Sequence, residues 1–445
     1  MAIKKVLVVG SWAKEQITVE NIVNNSEAGV YVFMDTYNPG IIPLADGFCI
    51  GDFYDTESIV GYALSVSADL VLVTTASPLA AGLADRLEEK NICVFGPTKS
   101  AARLESDKAF ARRLMSKYIP EAVPDYGVFS KAEDAIGFAR EHSWQVAVKF
   151  TGLREGLGVK VFGDQLKNED EVVDYIKEVL DKGKGPDSQV VIEERLIGEE
   201  FTIQCLVNND CLITTPAVQD FKKLLPQDRG PNTASMGSYS DKGKLLPFME
   251  EADYEQALNI IRTTIKGFRE ESGKCCKGFL YGQFMLTKKG IKLIEYNFRP
   301  GDPEWLNTLT LLKGSLLKPV EAVMEGESYS CDFSKQATVC KYVVPPGYPE
   351  ELNCLLKVNW DEESISHTGA KIYYSCGKNE EGKLQVGSER GIAIIACGDT
   401  IKDAYLRIES AIGRLRGEFF YRKDIGSEEQ ILEKCRRVKL ARVNG

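Results

Sequence analysis

The sequence predicts a multidomain protein of mixed α/β and α+β architecture, and three observations carry that prediction. The chain is 445 residues long, which at roughly 150 residues per domain gives about three domains. In its first quarter, short apolar strands alternate with helix-period segments, the pattern of a parallel sheet with right-handed crossovers. Beyond that point strands come in pairs joined by turn residues, the pattern of antiparallel hairpins.

Residues 5–9 form a β-branched apolar run ending at Gly10, and 30–34, 69–73 and 92–95 repeat it, with a helix-period stretch over 79–89. In such a sheet ligands lie beyond the carboxyl ends of the strands, here near Gly10, Asp35 and residues 74–78. Gly10 is followed by Ser11-Trp12-Ala13-Lys14, so the G-x-G-x-x-G spacing that lets a backbone approach a pyrophosphate is missing. An NAD or FAD domain is therefore not expected. A helix pattern covers 99–118 and breaks at Glu121-Ala122-Val123-Pro124. Residues 146–149 and 160–163 read as a strand pair around a glycine-bearing loop, with a further strand at 190–194. Residues 200–207 and 211–215, joined by Asn208-Asn209, read as a hairpin, and a helix follows over 254–272. Strands at 281–286 and 291–295 flank Lys288-Lys289-Gly290; strands at 337–343 and 392–396 and a helix near 400–414 complete the pattern. The basic tail (Lys434, Arg436, Arg437, Lys439, Arg442) reads as a solvated helix face.

Composition removes several classes of function. Lys plus Arg (55) against Asp plus Glu (65) leaves a net charge of −10, with no basic footprint for nucleic acid. The apolar share of 44% and charged share of 27% are those of a globular protein. The longest apolar run, 70–84, contains Thr, Ser, Pro and Gly and stops at Asp85, so no membrane contact is expected. Met-Ala-Ile-Lys-Lys runs straight into a strand with no secretory leader, which predicts a cytoplasmic protein. The twelve cysteines are scattered without a C-x-x-C pair and read as reduced structural thiols. With His142 and His367 the only histidines, neither a Ser-His-Asp site nor a His-rich metal site is expected.

Four constellations carry chemistry. In Glu295-Tyr296-Asn297-Phe298-Arg299-Pro300-Gly301-Asp302, strand alternation puts Glu295, Asn297 and Arg299 on one side. A carboxylate and an amide oxygen are hard ligands suited to Mg²⁺, and the guanidinium beside them can steady a transferring phosphoryl group. A solvent-facing polar strand edge explains the same run. In Thr151-Gly152-Leu153-Arg154-Glu155-Gly156-Leu157-Gly158, the glycines at 152, 156 and 158 let backbone N–H groups turn toward phosphates, and Lys149 adds a point charge. A plain hairpin turn is the competing explanation, since the Walker A spacing is absent. Glu193 and Glu194 end a strand whose backbone can pair with an adenine edge while an acid takes ribose hydroxyls; an exposed acidic turn is the alternative. Finally, Gln219-Asp220-Phe221-Lys222-Lys223 and the small polar residues 228–238 make a poor core and favour a loop facing substrate.

Taken in order, these motifs resemble the ATP-grasp superfamily and, within it, the phosphoribosylamine–glycine ligase family. The resemblance rests on Phe95-Gly96-Pro97-Thr98, Ser106-Asp107-Lys108-Ala109-Phe110, Lys149 with Gly152-Leu153, Gly198-Glu199-Glu200, Gly230 to Thr233 with Met236-Gly237, Gly278-Phe279-Leu280-Tyr281, Gly347-Tyr348-Pro349 and Arg422-Lys423-Asp424-Ile425-Gly426. It implies an N-terminal parallel α/β domain over 1–104, a two-lobed ATP-grasp domain over 105–330 with a lid at about 124–194, and a small strand-rich domain over 331–445. It also implies an ADP-forming carboxylate–amine ligase of purine biosynthesis, using ATP and Mg²⁺ (or Mn²⁺), with glycine as acid, phosphoribosylamine as amine, and a monomer or weak homo-oligomer as its state.

The implied site assigns ATP to Lys108, Lys149, Gly152, Gly156, Gly158, Glu193, Glu194, Leu196 and Glu200, and the metal to Glu295 and Asn297. Substrates fall to Gln219, Lys223, Asn232, Thr233, Gly301, Asp302 and Arg390, and catalysis to Arg299, Asp220 and Arg154. The chain also departs from the family pattern. The first turn reads Gly10-Ser11-Trp12-Ala13-Lys14-Glu15-Gln16 where Gly-Asn-Gly-Gly-Arg-Glu-His is usual, and Thr74 to Leu79 replace Gly-Pro-Glu-Ala-Pro-Leu. Leu157 stands where the family has a loop lysine, and Ser388-Glu389-Arg390-Gly391 replace Gly-Gly-Arg-Val. Most of these changes lie on the amine side, so a paralogue joining another acid and amine, or a non-catalytic nucleotide-binding relative, stays open at the level of sequence.

Overall fold

The computed structural model describes residues 3–152, 158–182, 189–350, 355–378, 384–386 and 390–443. The first sheet is parallel and five-stranded, in the order Gly47–Ile50, Gly29–Met34, Lys5–Val9, Leu70–Val73, Val94–Phe95. Its central strand is apolar on both faces because both faces are covered. Val6 and Val8 pack with Ala13 and Ile17 of the helix Ala13–Asn25, while Leu7 and Val9 pack with Ile59 and Leu83 on the other side. The edge strand Gly47–Ile50 leaves no sequence signal, being four residues long with Phe48 and Ile50 exposed. The helix expected over 79–89 is two helices, Ala76–Ala81 and Leu83–Glu89, divided at Gly82, whose φ of 100° stops the first turn. The pattern over 99–118 is likewise two, Lys99–Ser106 and Lys108–Tyr118. Asp107 separates them, because its carboxylate caps the second helix by accepting from the Phe110 N–H at 2.9 Å.

Two antiparallel sheets follow. One runs Tyr126–Phe129, Val190–Glu194, Val146–Phe150, Val159–Val161 and is backed by the helices Ala132–Glu141 and Glu169–Lys182. It has its own core, including Ala135, Val146, Val148, Ile176 and Ile192. The other runs Cys211–Thr214, Gly198–Asn208, Lys277–Thr287, Gly290–Asn297 and is backed by the helix Glu251–Ser272 through Ile261, Ile265 and Phe268. A five-stranded sheet joins the middle of the chain to its last third: Gln219–Asp220, Gly237–Ser240, Ala337–Val343, Ile392–Gly398 and Ala370–Tyr374 pair antiparallel in that order, with the helix Ile401–Ile412 against them. The strand Gly237–Ser240 therefore pairs with residues about a hundred positions further along the chain, as Gly237 does with Lys341. The last helix, Glu428–Val443, leaves Arg436, Arg437 and Lys439 exposed as a solvated basic face requires, and departs from that expectation at Lys434. Lys434 is buried against Glu199. Among the described residues no helix is long and apolar enough to cross a membrane.

Candidate active site

The strand Gly290–Asn297 buries Tyr296, and Phe298 just beyond its end, while Glu295, Asn297 and Arg299 take the opposite side, as alternation requires. Glu295 Oε2 lies 3.4 Å from Lys108 Nζ. Burial pushes its carboxyl up, but Lys108, Lys222 and Lys149 outweigh that and hold it down at about 2. Arg299 donates from Nη2 to Asn297 Oδ1 at 3.4 Å and reaches Glu105 Oε1 with Nε at 3.3 Å. Glu105 in turn accepts the Phe298 N–H at 2.8 Å, tying the strand end to the helix Lys99–Ser106. An ionised carboxylate beside an amide oxygen fits Mg²⁺, which commonly takes one or two protein oxygens and completes its shell with phosphate and water. Among the described residues no cluster of three or more His, Cys, Asp or Glu side chains offers another metal site.

Lys149 and Arg112 converge on Glu193. Lys149 Nζ donates to Oε2 at 2.6 Å, and Arg112 contacts Oε1 and Oε2 from Nε and Nη2 at 2.7 and 3.0 Å. Arg112 also donates to the Ile294 carbonyl at 2.6 Å, so this buried trio joins the strand Val190–Glu194, the helix Lys108–Tyr118 and the strand carrying Glu295. Burial opposes ionisation of Glu193, yet the two cations bring it down to about 2. For Lys149 burial is the largest influence and pulls its ammonium down. The Glu193 carboxylate is thus engaged by protein cations, and the backbone of its strand is paired on both edges, with Tyr126–Phe129 and Val146–Phe150. This corrects the expectation that the strand itself pairs with an adenine edge; the Glu194 and Arg195 N–H groups are likewise taken, by the Asp125 and Gln145 carbonyls at 2.8 Å. Glu194 accepts the Asp125 N–H at 3.0 Å, Leu196 is half-buried, and Glu200 accepts from Gln283 Nε2 at 2.6 Å.

Across from Glu295 stand Asp220 and Lys222, two apart on one extended stretch. Lys222 donates to Gln283 and is pulled two ways: burial lowers its pKa, while Glu295, Glu200, Asp220 and Glu304 raise it further. Asp220 accepts from its neighbour's N–H at Phe221 and from the Ser235 hydroxyl. Burial and the adjacent Glu304 push its carboxyl up to about 8. Glu304 accepts from Tyr281 Oη at 2.8 Å. Gln219 is buried and donates to the Glu200 carbonyl at 2.9 Å, Thr233 donates to the Lys222 carbonyl at 2.8 Å, and Lys223 lies 3.8 Å from Asp164. Asn232 reaches the opposite sheet, accepting from Gln165 Nε2 at 2.7 Å.

A second polar cluster adjoins the first. Arg390 is buried, donates to the Asp302 carbonyl at 2.7 Å, lies 3.2 Å from the Asp302 carboxylate, and stacks on Tyr342 at 4.1 Å. Tyr342 bonds Asp302 and Ser375, and Ser375 faces the Ala13 N–H at 3.4 Å. The first βα turn thus meets the last sheet here. Gly301 N–H donates to Gln204 at 2.8 Å, and a Cβ at this position would lie 2.6 Å from Glu304 and 2.7 Å from Tyr281, so only glycine fits. Within the turn, Ser11 bonds Asp35 at 2.5 Å, and Glu15 Oε2 accepts the Trp12 N–H at 2.8 Å. Glu15 is fully buried, its Oε1 has no hydrogen-bond partner among the described residues, and burial raises its pKa.

The structure therefore brings together Lys108, Lys149, Glu193, Glu200, Asp220, Glu295, Asn297 and Arg299, and sets Gly301, Asp302 and Arg390 beside them. Gly152 is exposed, and a Cβ there would meet nothing within 4 Å among the described residues, while Gly158 accepts the Phe150 N–H at 3.1 Å at the foot of the loop. Arg154, Gly156 and Leu157 lie outside the described residues. Sequence reasoning gave no role to Arg112, Gln283 or Tyr342, and named Lys222 only as part of a stretch facing substrate. Lys222 carried a usable signal, two residues from Asp220 on one face, whereas Arg112 and Tyr342 acquire partners only through the fold.

Three sequence models of phosphoribosylglycinamide synthetase match in chain order: the N domain over 4–105, the ATP-grasp (A) domain over 106–305 and the C domain over 338–428. The phosphoribosylamine–glycine ligase of Methanopyrus kandleri is 43% identical over 98% of this chain and 99% of its own. This chain belongs to the phosphoribosylglycinamide synthetase family. The corresponding ligase of Methanosarcina barkeri is 42% identical over 98% of this chain and 99% of its own. Among solved structures, the phosphoribosylamine–glycine ligase of Thermotoga maritima superposes with a TM-score of 0.76 at 25% identity, covering 95% of this chain and 100% of that one. The N5-carboxyaminoimidazole ribonucleotide synthetase of the same organism shares the fold, with a TM-score of 0.65 at 17% identity over 93% of this chain and 99% of that one.

Proposed function

We propose that the protein joins glycine to 5-phosphoribosylamine at the expense of ATP, releasing ADP and phosphate, as a cytoplasmic step of purine synthesis. The observation that carries this is the ionised Glu295 beside Asn297, ringed by Lys108, Lys149 and Lys222. Five charged or oxygen-donor groups of that kind converge there, a set suited to offset the charge of a triphosphate and to ligate a metal ion.

In this reading the glycine carboxylate attacks the γ-phosphorus and ADP leaves; the amine then attacks the acyl carbon, phosphate leaves, and the amine loses a proton. Mg²⁺, or Mn²⁺ in its place, held by Glu295 and Asn297, would neutralise phosphate charge. Lys108, Lys149, Gly152, Gly158 and the loop residues Arg154 and Gly156 line up the phosphates. The backbone just past the strand end, at Leu196, takes adenine, and Glu200 takes ribose hydroxyls. Arg299 steadies the transferring group. Asp220, whose carboxyl is pushed up by burial and by Glu304, is the carboxylate suited to exchange a proton with the amine. Gln219, Lys223, Asn232, Thr233, Gly301, Asp302 and Arg390 frame the substrates.

The test is ADP release by purified protein with glycine and phosphoribosylamine together, against each alone. Release only with both supports the reading, and release with glycine and a different amine replaces it. That second reading has one specific observation behind it: Trp12, where the family carries glycine, directly precedes Ala13, whose N–H meets Ser375 of the cluster with Tyr342 and Asp302.

A further inference from the structure

The last helix of the chain has no assigned role, yet it reaches the back of the stretch that carries Asp220 and Lys222. Alternation sends those two side chains toward Glu295 and Glu304 and sends Phe221 the other way, into a buried position. Two cations enclose the Phe221 ring. Lys434 Nζ, from the helix Glu428–Val443, lies 5.1 Å from its centroid, and Arg422 Cζ lies 5.0 Å away. Both are within cation–π range, and both are buried. Arg422 further donates to the Lys223 carbonyl at 3.0 Å, contacts Asp228 at 2.9 Å and holds Asp424 through two bonds of 2.8 Å. Lys434 bonds Glu199 at 2.9 Å and lies 3.5 Å from Asp228, while Arg437 reaches the other Glu199 oxygen at 3.2 Å. Gln430, from the same helix, donates to Asp424 at 2.7 Å, and Asp424 accepts the Gln227 N–H at 3.0 Å.

The geometry points to a positioning role for the C-terminal helix: Lys434, together with Arg422, clamps Phe221 and Asp228 and thereby aims Asp220 and Lys222 at the reacting groups. The clamp grips the stretch at Phe221, between Asp220 and Lys222, and grips the turn beyond it at Asp228, while its cations lie on the Phe221 side. Lys434 and Arg422 are positioning residues, acting through the backbone they hold. This inference rests on the proposed function insofar as Asp220 and Lys222 face the substrates.

Lys434→Met alone leaves Glu199 buried with a weakened set of partners, which threatens folding. The informative protein is therefore the double variant K434M/E199Q, which removes both charges. It should fold with a normal far-ultraviolet spectrum and keep its KM for ATP, while kcat per folded molecule falls about ten- to hundredfold, because small misplacements of reacting groups are costly. Phe221→Leu should give the same split between kcat and KM, and Lys434→Arg should retain kcat. A double variant with the kcat of the unmodified protein, or a loss that merely follows the folded fraction, overturns the proposal. The unmodified protein is assayed first with glycine and phosphoribosylamine. If it does not ligate them the functional reading fails by itself, and the clamp is then judged by deuterium uptake at 219–223. Faster uptake in K434M/E199Q supports it, and unchanged uptake overturns it.

Discussion

A carboxylate removed from water is expensive to ionise, and Glu295 is ionised only because Lys108, Lys222 and Lys149 surround it. Replacing it by Gln keeps the shape and removes the charge, so Glu295→Gln should cut Mg²⁺-dependent ADP release by about a hundredfold or more. Asn297→Ala removes the neighbouring oxygen and should do the same. Neither side chain belongs to the apolar core, so the circular dichroism spectrum and thermal midpoint should hold. Metal-titrated activity checks this, and full activity in either variant removes the metal assignment. The trio Glu295, Asn297 and Arg299 was legible in the sequence because period two is a local rule that any strand obeys. Arg112 was not legible, because its partner Glu193 lies 81 residues away and meets it only when the two sheets are assembled. Trp12 belongs to this scale too. If the turn faces the amine, Trp12→Gly should lower the KM for phosphoribosylamine and leave the KM for ATP alone. A change confined to ATP would place the turn elsewhere.

Strands and hairpins were readable wherever apolar runs were bounded by turn residues, as at 5–9, 190–194 and 337–343. What escaped were breaks that a single residue imposes. Gly82 divides a helix by adopting positive φ, and Asp107 divides another by capping its second half, although the apolar period runs through both. The sheet built from Gln219–Asp220 and the later strands escaped for a different reason, since its pairing joins residues such as Gly237 and Lys341. One element carries a prediction of motion. The sheet over 126–194 has a core of its own, with Val146, Val148, Ile176 and Ile192 packed apart from the main apolar core. A unit with a separate core can shift as a body when a ligand bridges it to its neighbour. Saturating ATP should therefore slow deuterium uptake and proteolysis across Tyr126–Phe129, Val146–Phe150 and Val190–Glu194. Unchanged uptake in these strands would argue against a lid.

At the scale of the molecule, the buried trio of Arg112, Lys149 and Glu193 fastens that unit to the body, because its bonds cross from Val190–Glu194 to the Ile294 carbonyl. This fastening is pH-dependent in a direction that follows from the charges. Glu193 titrates at about 2 in the folded protein against 4.5 as its ordinary value. A carboxyl whose pKa is depressed by folding adds stability above the unfolded value and loses it as pH falls toward the folded one. The contribution is at most about 3 kcal/mol for a shift of that size, and the burial that pulls Lys149 down subtracts from it. The urea midpoint should thus fall steadily between about pH 4.5 and 2. Glu193→Gln leaves Arg112 and Lys149 facing a neutral amide, so that variant should be weaker at neutral pH and show a flatter acid limb. Parallel acid limbs for the two proteins would mean that other carboxylates carry the acid sensitivity and that the trio does not hold the two sheets together.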